Sequence, residues 1–274
     1  MENEIITGLN CSVLIYTLAK EHGLTVTRDR QGEGEPEPVD GRIAPTDRLS
    51  VVRGFRHSNL ERWGPRFTLK KANYSVGRLQ IGVFADPNAA AQVFMEQITY
   101  TSMGPNKKLG PELGDHAVGW WVPSQKGFGR IILRRDNVVV SIGMDYGGDR
   151  KITVPAETTL ELANQLDLAL KTGSHGVSRG TTLRIPRIVR IETPAIVSER
   201  TSVSAQVRIA VPENPQDKSS REIERVQTIT LHIPGVNPED RAKPEHKTLY
   251  QLTYITADCV VVTAETSVNV HAVE

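Results

Sequence analysis

Residues 114–144 read GDHAVGWWVPSQKGFGRIILRRDNVVVSIGM. This is two or three strands' worth of β pattern, punctuated by turn chemistry at residues 123–127 and at Asp136-Asn137. Proline presets φ for a turn, glycine accepts positive φ, and Asp and Asn tolerate left-handed backbone. The segments on either side read as layers packed on the sheet that this stretch builds.

The composition sets the class. Hydrophobic residues make up 38% of the 274 and charged residues 24%, a globular balance rather than a disordered one. Thirty-three Lys and Arg against 32 Asp and Glu leave a formal net charge of +1. That is no global footprint for nucleic acid or an anionic membrane, and nucleic acid is not an expected partner. The two cysteines, Cys11 and Cys259, are too few for a disulfide framework or a zinc site of paired cysteines. No apolar run approaches the ~18–20 residues of a membrane span. The acidic start, Met-Glu-Asn-Glu-Ile-Ile, does not read as a signal peptide as written.

Working outward, residues 9–22 carry an apolar set that reads as a short helix, with Ser12 as N-cap and Gly23 past the end; Val13-Leu14-Ile15-Tyr16 also suits a buried strand. From Thr27 to Asp47 the composition turns to Arg, Gly, Glu and Pro, which reads as a surface loop because too little apolar surface is available to offset ordering. Residues 65–73 and 77–85 read as strands, with Leu79, Ile81 and Val83 alternating to one face. Asp86 as N-cap and Pro87 at the first helical position open a helix over 88–102. A second helix over 156–171 follows Pro155, with a stripe of Leu162, Leu166, Ala169 and Leu170, and closes at Thr172-Gly173. This order predicts an α+β domain, an antiparallel sheet with helices on one face.

Four segments, ADPNAAAQVF, LGDHAV, GRIILRRDNVVVSIG and TTLELANQLDLAL, carry a resemblance. Over residues 77–171 they resemble bacterial exported lipoproteins and the extracytoplasmic sensor domains of some membrane kinases. The resemblance implies an extracytoplasmic setting, at the periplasm or cell surface, although the low cysteine content fits the cytoplasm equally well. No functional residue transfers with it.

Residues 173–180, within the glycine-rich Thr172-Gly-Ser-His-Gly-Val-Ser-Arg-Gly-Thr181, read as a linker between a first domain (1–172) and a second (181–274). Beyond it come β runs at 183–191, 201–211, 226–233, 249–256 and 259–270. In the second of these Val203, Ala205, Val207, Ile209 and Val211 share one face. Such half-buried antiparallel strands predict an immunoglobulin-like β-sandwich, without the Cys–Trp–Cys hallmark. Whether that sandwich closes on itself or borrows a strand from the first domain is left open by the sequence.

Candidate sites are sparse. Trp120 and Trp121 are adjacent on a strand and so point to opposite faces; Trp121, with Arg130 and Arg134 at even spacing, is the candidate ligand-binding set, to which Lys70, Lys71 and Arg78 add charge. Covered aromatics and solvated edge charges are the plainer reading of both. Asp145 and Asp149 flank a flexible turn that calcium would fit only with more oxygens than it supplies. Gly127-Phe-Gly129 lacks the helix and lysine of a phosphate cradle, so no cofactor is expected. The seven histidines show no metal-binding spacing, and no Gly-x-Ser-x-Gly elbow occurs. The reading is a non-catalytic exported or surface-associated binding or assembly module, acting on a protein partner or small ligand. The alternatives are an enzyme with Asp115, His116 and Asp145 converging, or a subunit of a larger assembly.

Overall fold

The computed structural model describes residues 4–28, 47–53, 63–72, 74–99, 106–144, 154–181, 183–215, 217, 219–237, 239 and 246–271. In chain order the elements begin β1 (Ile5–Leu9), α1 (Cys11–Glu21), β2 (Thr25–Arg28), β3 (Arg48–Arg53), β4 (Arg66–Lys71), β5 (Tyr74–Val83) and α2 (Pro87–Thr99). They continue with β6 (Lys107–Lys108), β7 (His116–Val122), β8 (Gly127–Arg135), β9 (Val138–Met144), α3 (Thr158–Thr172) and β10 (Val177–Gly180). Strands alone follow: β11 (Arg187–Glu192), β12 (Ile196–Ser198), β13 (Ser202–Pro212), β14 (Glu222–His232), β15 (His246–Ile255) and β16 (Val261–His271). The chain packs as two units. The first is Met1–Thr46, Trp63–Leu183 and Thr256–Val261; the second is Asp47–Arg62, Arg184–Ile255 and Val262–Glu274.

The first unit is α+β. Its seven-stranded sheet has the order β2-β4-β5-β9-β8-β7-β6, antiparallel throughout. The centre is β9, whose Val138, Val139, Val140 and Ile142 are fully buried. Burial on both faces explains why this strand is apolar at successive positions, with Ser141 as the polar exception, instead of alternating. Each such side chain contributes ~1.5–3 kcal/mol on leaving water.

The helix ends follow local chemistry. Asp86 Oδ1 accepts the Asn88 and Ala89 amides at 2.8 and 2.9 Å, starting α2 at Pro87. Gly173 closes α3 at φ 69°, in the left-handed region that glycine enters without strain, and its N–H returns to Ala169 O. For α1 the cap is Asn10, whose side chain accepts the Val13 amide, not Ser12.

Helices cover both faces of the sheet, not one. Arg134 donates to Pro87 O at the start of α2, at 3.1 Å, while its neighbour Arg135 grips Asp167 in α3 at 2.7 Å. Successive strand residues face opposite ways, so α2 and α3 lie on opposite sides. Local pattern reports which stripe of a helix is apolar but not which side of a sheet receives it.

The stretch 173–180 is not an open linker. A turn using Gly176 at φ 81° brings Val177–Gly180 back as a strand antiparallel to β1. Arg179 then holds Leu170 O at 2.8 Å and Asp136 at 2.9 Å. The expected surface loop at 27–47 lies outside the described residues over 29–46. Among the described residues no helix is long and apolar enough to cross a membrane.

The second unit packs a three-stranded sheet, β11-β13-β14, on a four-stranded one, β12-β16-β15-β3. Ala205, Leu231, Tyr250, Val268 and Val270 form one part of the shared core, and Val207, Ile209, Leu252 and Tyr254 the other. The expected inward face of β13 supplies Ala205, Val207 and Ile209, all at 0% exposure. Two features of the topology have no local signature. Strand β12 pairs parallel to the last strand, and β3, from residues 48–53, pairs antiparallel with β15. The second unit therefore does borrow a strand from the N-terminal part of the chain.

One side chain joins the hairpin of β8 and β9 to the rest of the first unit. Asn137, at 0% exposure, accepts the Ile6 amide and donates to Ile6 O and Phe84 O, each at 2.9 Å. Asn137→Ala would strand three backbone groups in the interior, each costing ~1–3 kcal/mol; we expect a loss of about 3 kcal/mol or more, read as a lowered denaturation midpoint.

In the second unit burial pushes up the phenols of Tyr254 and Tyr250, and for Tyr254 the hydrogen bond it donates to Asp47 adds to the effect. The folded state thus keeps protons that the unfolded state releases near pH 10, so this stability is complete below pH 10 and falls above it. Melting temperature should decline above pH 10, and Tyr254→Phe should flatten that decline. An absorbance titration should show these two of the six tyrosines ionising beyond the ordinary phenol range.

Candidate binding face

The β7–β8 hairpin turns through a short 3-10 segment at Pro123–Gln125, with Lys126 left-handed at φ 50°. Below the turn the register runs from His116↔Arg134 to Trp120↔Arg130 and then slips, so that Trp121 opposes Phe128. Gly129 is the extra residue of this bulge. In an unbroken ladder Phe128 and Arg130 would share a face; the insertion sends them to opposite ones.

Trp121 and Arg130 therefore do not share a face. Trp121 lies with Phe128, edge-on at 5.1 Å and 78°. Lys107 Nζ sits 4.3 Å from its ring, and the Asn106 side chain brackets its backbone, donating to Trp121 O and accepting from Trp121 N. Gly119 is needed here, because a Cβ would meet the Phe128 ring at 2.6 Å.

Arg130 goes instead with Trp120. Its guanidinium centre lies 5.4 Å from the Trp120 ring and its Nε donates to Ser141 Oγ at 3.1 Å. The ladder continues this row across the sheet: Arg130 opposes Gly143, Gly143 opposes Arg78, and Arg78 opposes Thr68. Among the described residues, a Cβ at Gly143 would meet only Gly129 O, at 3.7 Å. The row thus has a low floor between two arginines, Arg78 exposed and Arg130 half-buried, with an indole beside the second. Two arginines flanking a residue without a side chain suit a flat, anionic or hydrogen-bond-accepting group.

Strand β8 is regular through Ile131–Leu133, so Arg134 does share a face with Arg130. It is committed elsewhere, to Pro87 O and to Asp115 at 3.7 Å. Asp115 also accepts from Arg135 at 3.0 Å and from the Asp136 amide at 2.7 Å. The carboxylate is thus held in the frame of the hairpin. His116 is exposed, its ring 6.2 Å from Phe94. Asp145 and Asp149 lie outside the described residues, so the set Asp115, His116 and Asp145 is not assembled among them. No group of three or more His, Cys, Asp or Glu among the described residues is placed to hold a metal ion.

Two interactions had only faint sequence signals. Arg135 and the 4%-exposed Asp167 form a bidentate pair with both bonds at 2.7 Å. The hydrogen bond to Asp167 outweighs desolvation and raises the Arg135 pKa. The sole hint was an aspartate inside the apolar stripe of α3. Cys11 and Cys259, both buried, are joined as a disulfide with Cα atoms 6.5 Å apart, a separation within the range that such a bond spans.

Compared with known proteins, the chain matches no family model and no solved structure. A stretch of 52 residues is 38% identical to the tRNA-specific 2-thiouridylase MnmA of Chromobacterium violaceum. That stretch is 19% of this chain and spans 14% of the length of that protein.

Proposed function

We propose that this chain is an extracytoplasmic, non-catalytic binding or assembly module whose second unit is an immunoglobulin-like sandwich. The observation that carries the binding role is the row Trp120–Arg130–Gly143–Arg78. Tryptophan and arginine are the side chains that most often dominate binding energy at interfaces, and here they border a floor that keeps backbone within reach of a ligand.

The compartment and the architecture have separate support. A buried disulfide between the only two cysteines persists in an oxidising environment and is rare in the cytosol. Seven strands arranged as three against four over one core match the strand count and layering of a constant-type immunoglobulin sandwich. The engagement of Asp115 by two arginines and a backbone amide favours a structural role for it over acid–base work.

Two measurements test the proposal. The immobilised 274-residue chain should capture a partner from an extracytoplasmic fraction, and Trp120→Ala with Arg130→Ala should abolish the capture while far-UV circular dichroism stays unchanged. Capture equal to that of the wild type would remove this face from the proposal. Thiol titration of denatured, unreduced protein from its native host should find no free thiol; two per chain would place it in a reducing compartment.

A further inference from the structure

We propose that the outer edge of β15 is a strand-acceptor site, filled within one chain by residues 47–53 and able to take the same residues from a second copy. Among the described strands of its sheet, β3 alone comes from outside residues 196–271. Its ladder on β15 runs from Arg48↔Ile255 to Arg53↔Tyr250. Leu49 opposes Tyr254 and Val51 opposes Leu252, and both pack half-buried against the core that those residues form. Tyr254 and Leu252 are at 0% exposure, and Leu49 and Val51 are among the side chains packed against them.

The occupant is also marked by charge. Asp47, just ahead of the strand, accepts the Tyr254 hydroxyl at 2.7 Å and pairs with Arg225 of β14. The site therefore reads an extended segment with a carboxylate followed by apolar side chains two and four residues later. This is strand addition to a sheet edge, in which main-chain bonds supply affinity and alternate side chains supply selectivity.

A second copy offers the identical segment, so the contacts in trans equal those in cis. What separates the two is effective concentration, about millimolar for a short tether. The inference concerns the second unit and stands apart from the binding face above.

The test uses the full chain with Leu49→Ser and Val51→Ser, which weakens the resident strand, and a fluorescent peptide spanning residues 46–54. The peptide should bind this variant at least ten-fold more tightly than it binds wild type, and a peptide carrying Asp47→Ala should bind several-fold more weakly. Equal binding to both chains, or none to the folded variant, would overturn the acceptor site. Should the variant lose its near-ultraviolet dichroism, hydrogen exchange on wild type decides. Amides of β3 and their β15 partners should open together at least ten-fold faster than β13, and uniform protection across the unit overturns the proposal. Sedimentation of wild type at roughly millimolar concentration should show a dimer that the double variant lacks; monomer throughout would rule out the second copy as occupant.

Discussion

The first unit depends on a single amide group in a turn. Asn137 lies between β8 and β9 and is completely buried, yet each of its polar side-chain atoms has a partner. Through it the hairpin tip is bonded to β1 near the N-terminus and to the chain leaving β5. Its own carbonyl accepts the Phe84 amide at 2.8 Å. Three segments far apart in sequence thus share one set of hydrogen bonds in a medium where an unpaired group costs more than a bond contributes. That asymmetry makes the turn a point of registration, because any other docking of β1 leaves polar atoms without partners.

Around this point charge reinforces geometry. Arg135, the residue before the turn, is clamped by Asp167 on one side and Asp115 on another, while Asp136 in the turn meets Arg179 of β10. Removing one member of such a half-buried group leaves its partner's charge poorly solvated, so the network resists piecemeal change more than it adds net stability. The Cys11–Cys259 disulfide ties the start of α1 to the short segment Thr256–Val261. Val260 of that segment also bridges Val83 at the end of β5.

The row Trp120–Arg130–Gly143–Arg78 owes its composition to an irregularity. One inserted glycine in β8 separates Arg130 from Phe128 and hands it to Trp120, and a second glycine, at 143, puts a position without a side chain between Arg130 and Arg78. In the second unit the comparable event is the arrival of β3, which adds Leu49 and Val51 to the cover of Tyr254, while Asp47 just ahead of it accepts the Tyr254 hydroxyl.

Much of this was legible from sequence alone. The alternation of β5 and β13, the apolar run of β9, the Asp86-Pro87 start of α2 and the glycine end of α3 each follow from interactions within a few residues, where spacing is itself the geometry. The α+β character of the first unit and the strand-only second unit follow in turn. The sides taken by α2 and α3, the strand at Val177–Gly180, the slip at Gly129, the pairing of β3 with β15 and the union of two cysteines 248 residues apart were decided only by tertiary structure. These are choices among partners distant in sequence, settled by which arrangement buries the most apolar surface while leaving no polar group unpaired. Local propensity is silent on that competition, which is why the two helices were legible and the faces they cover were not.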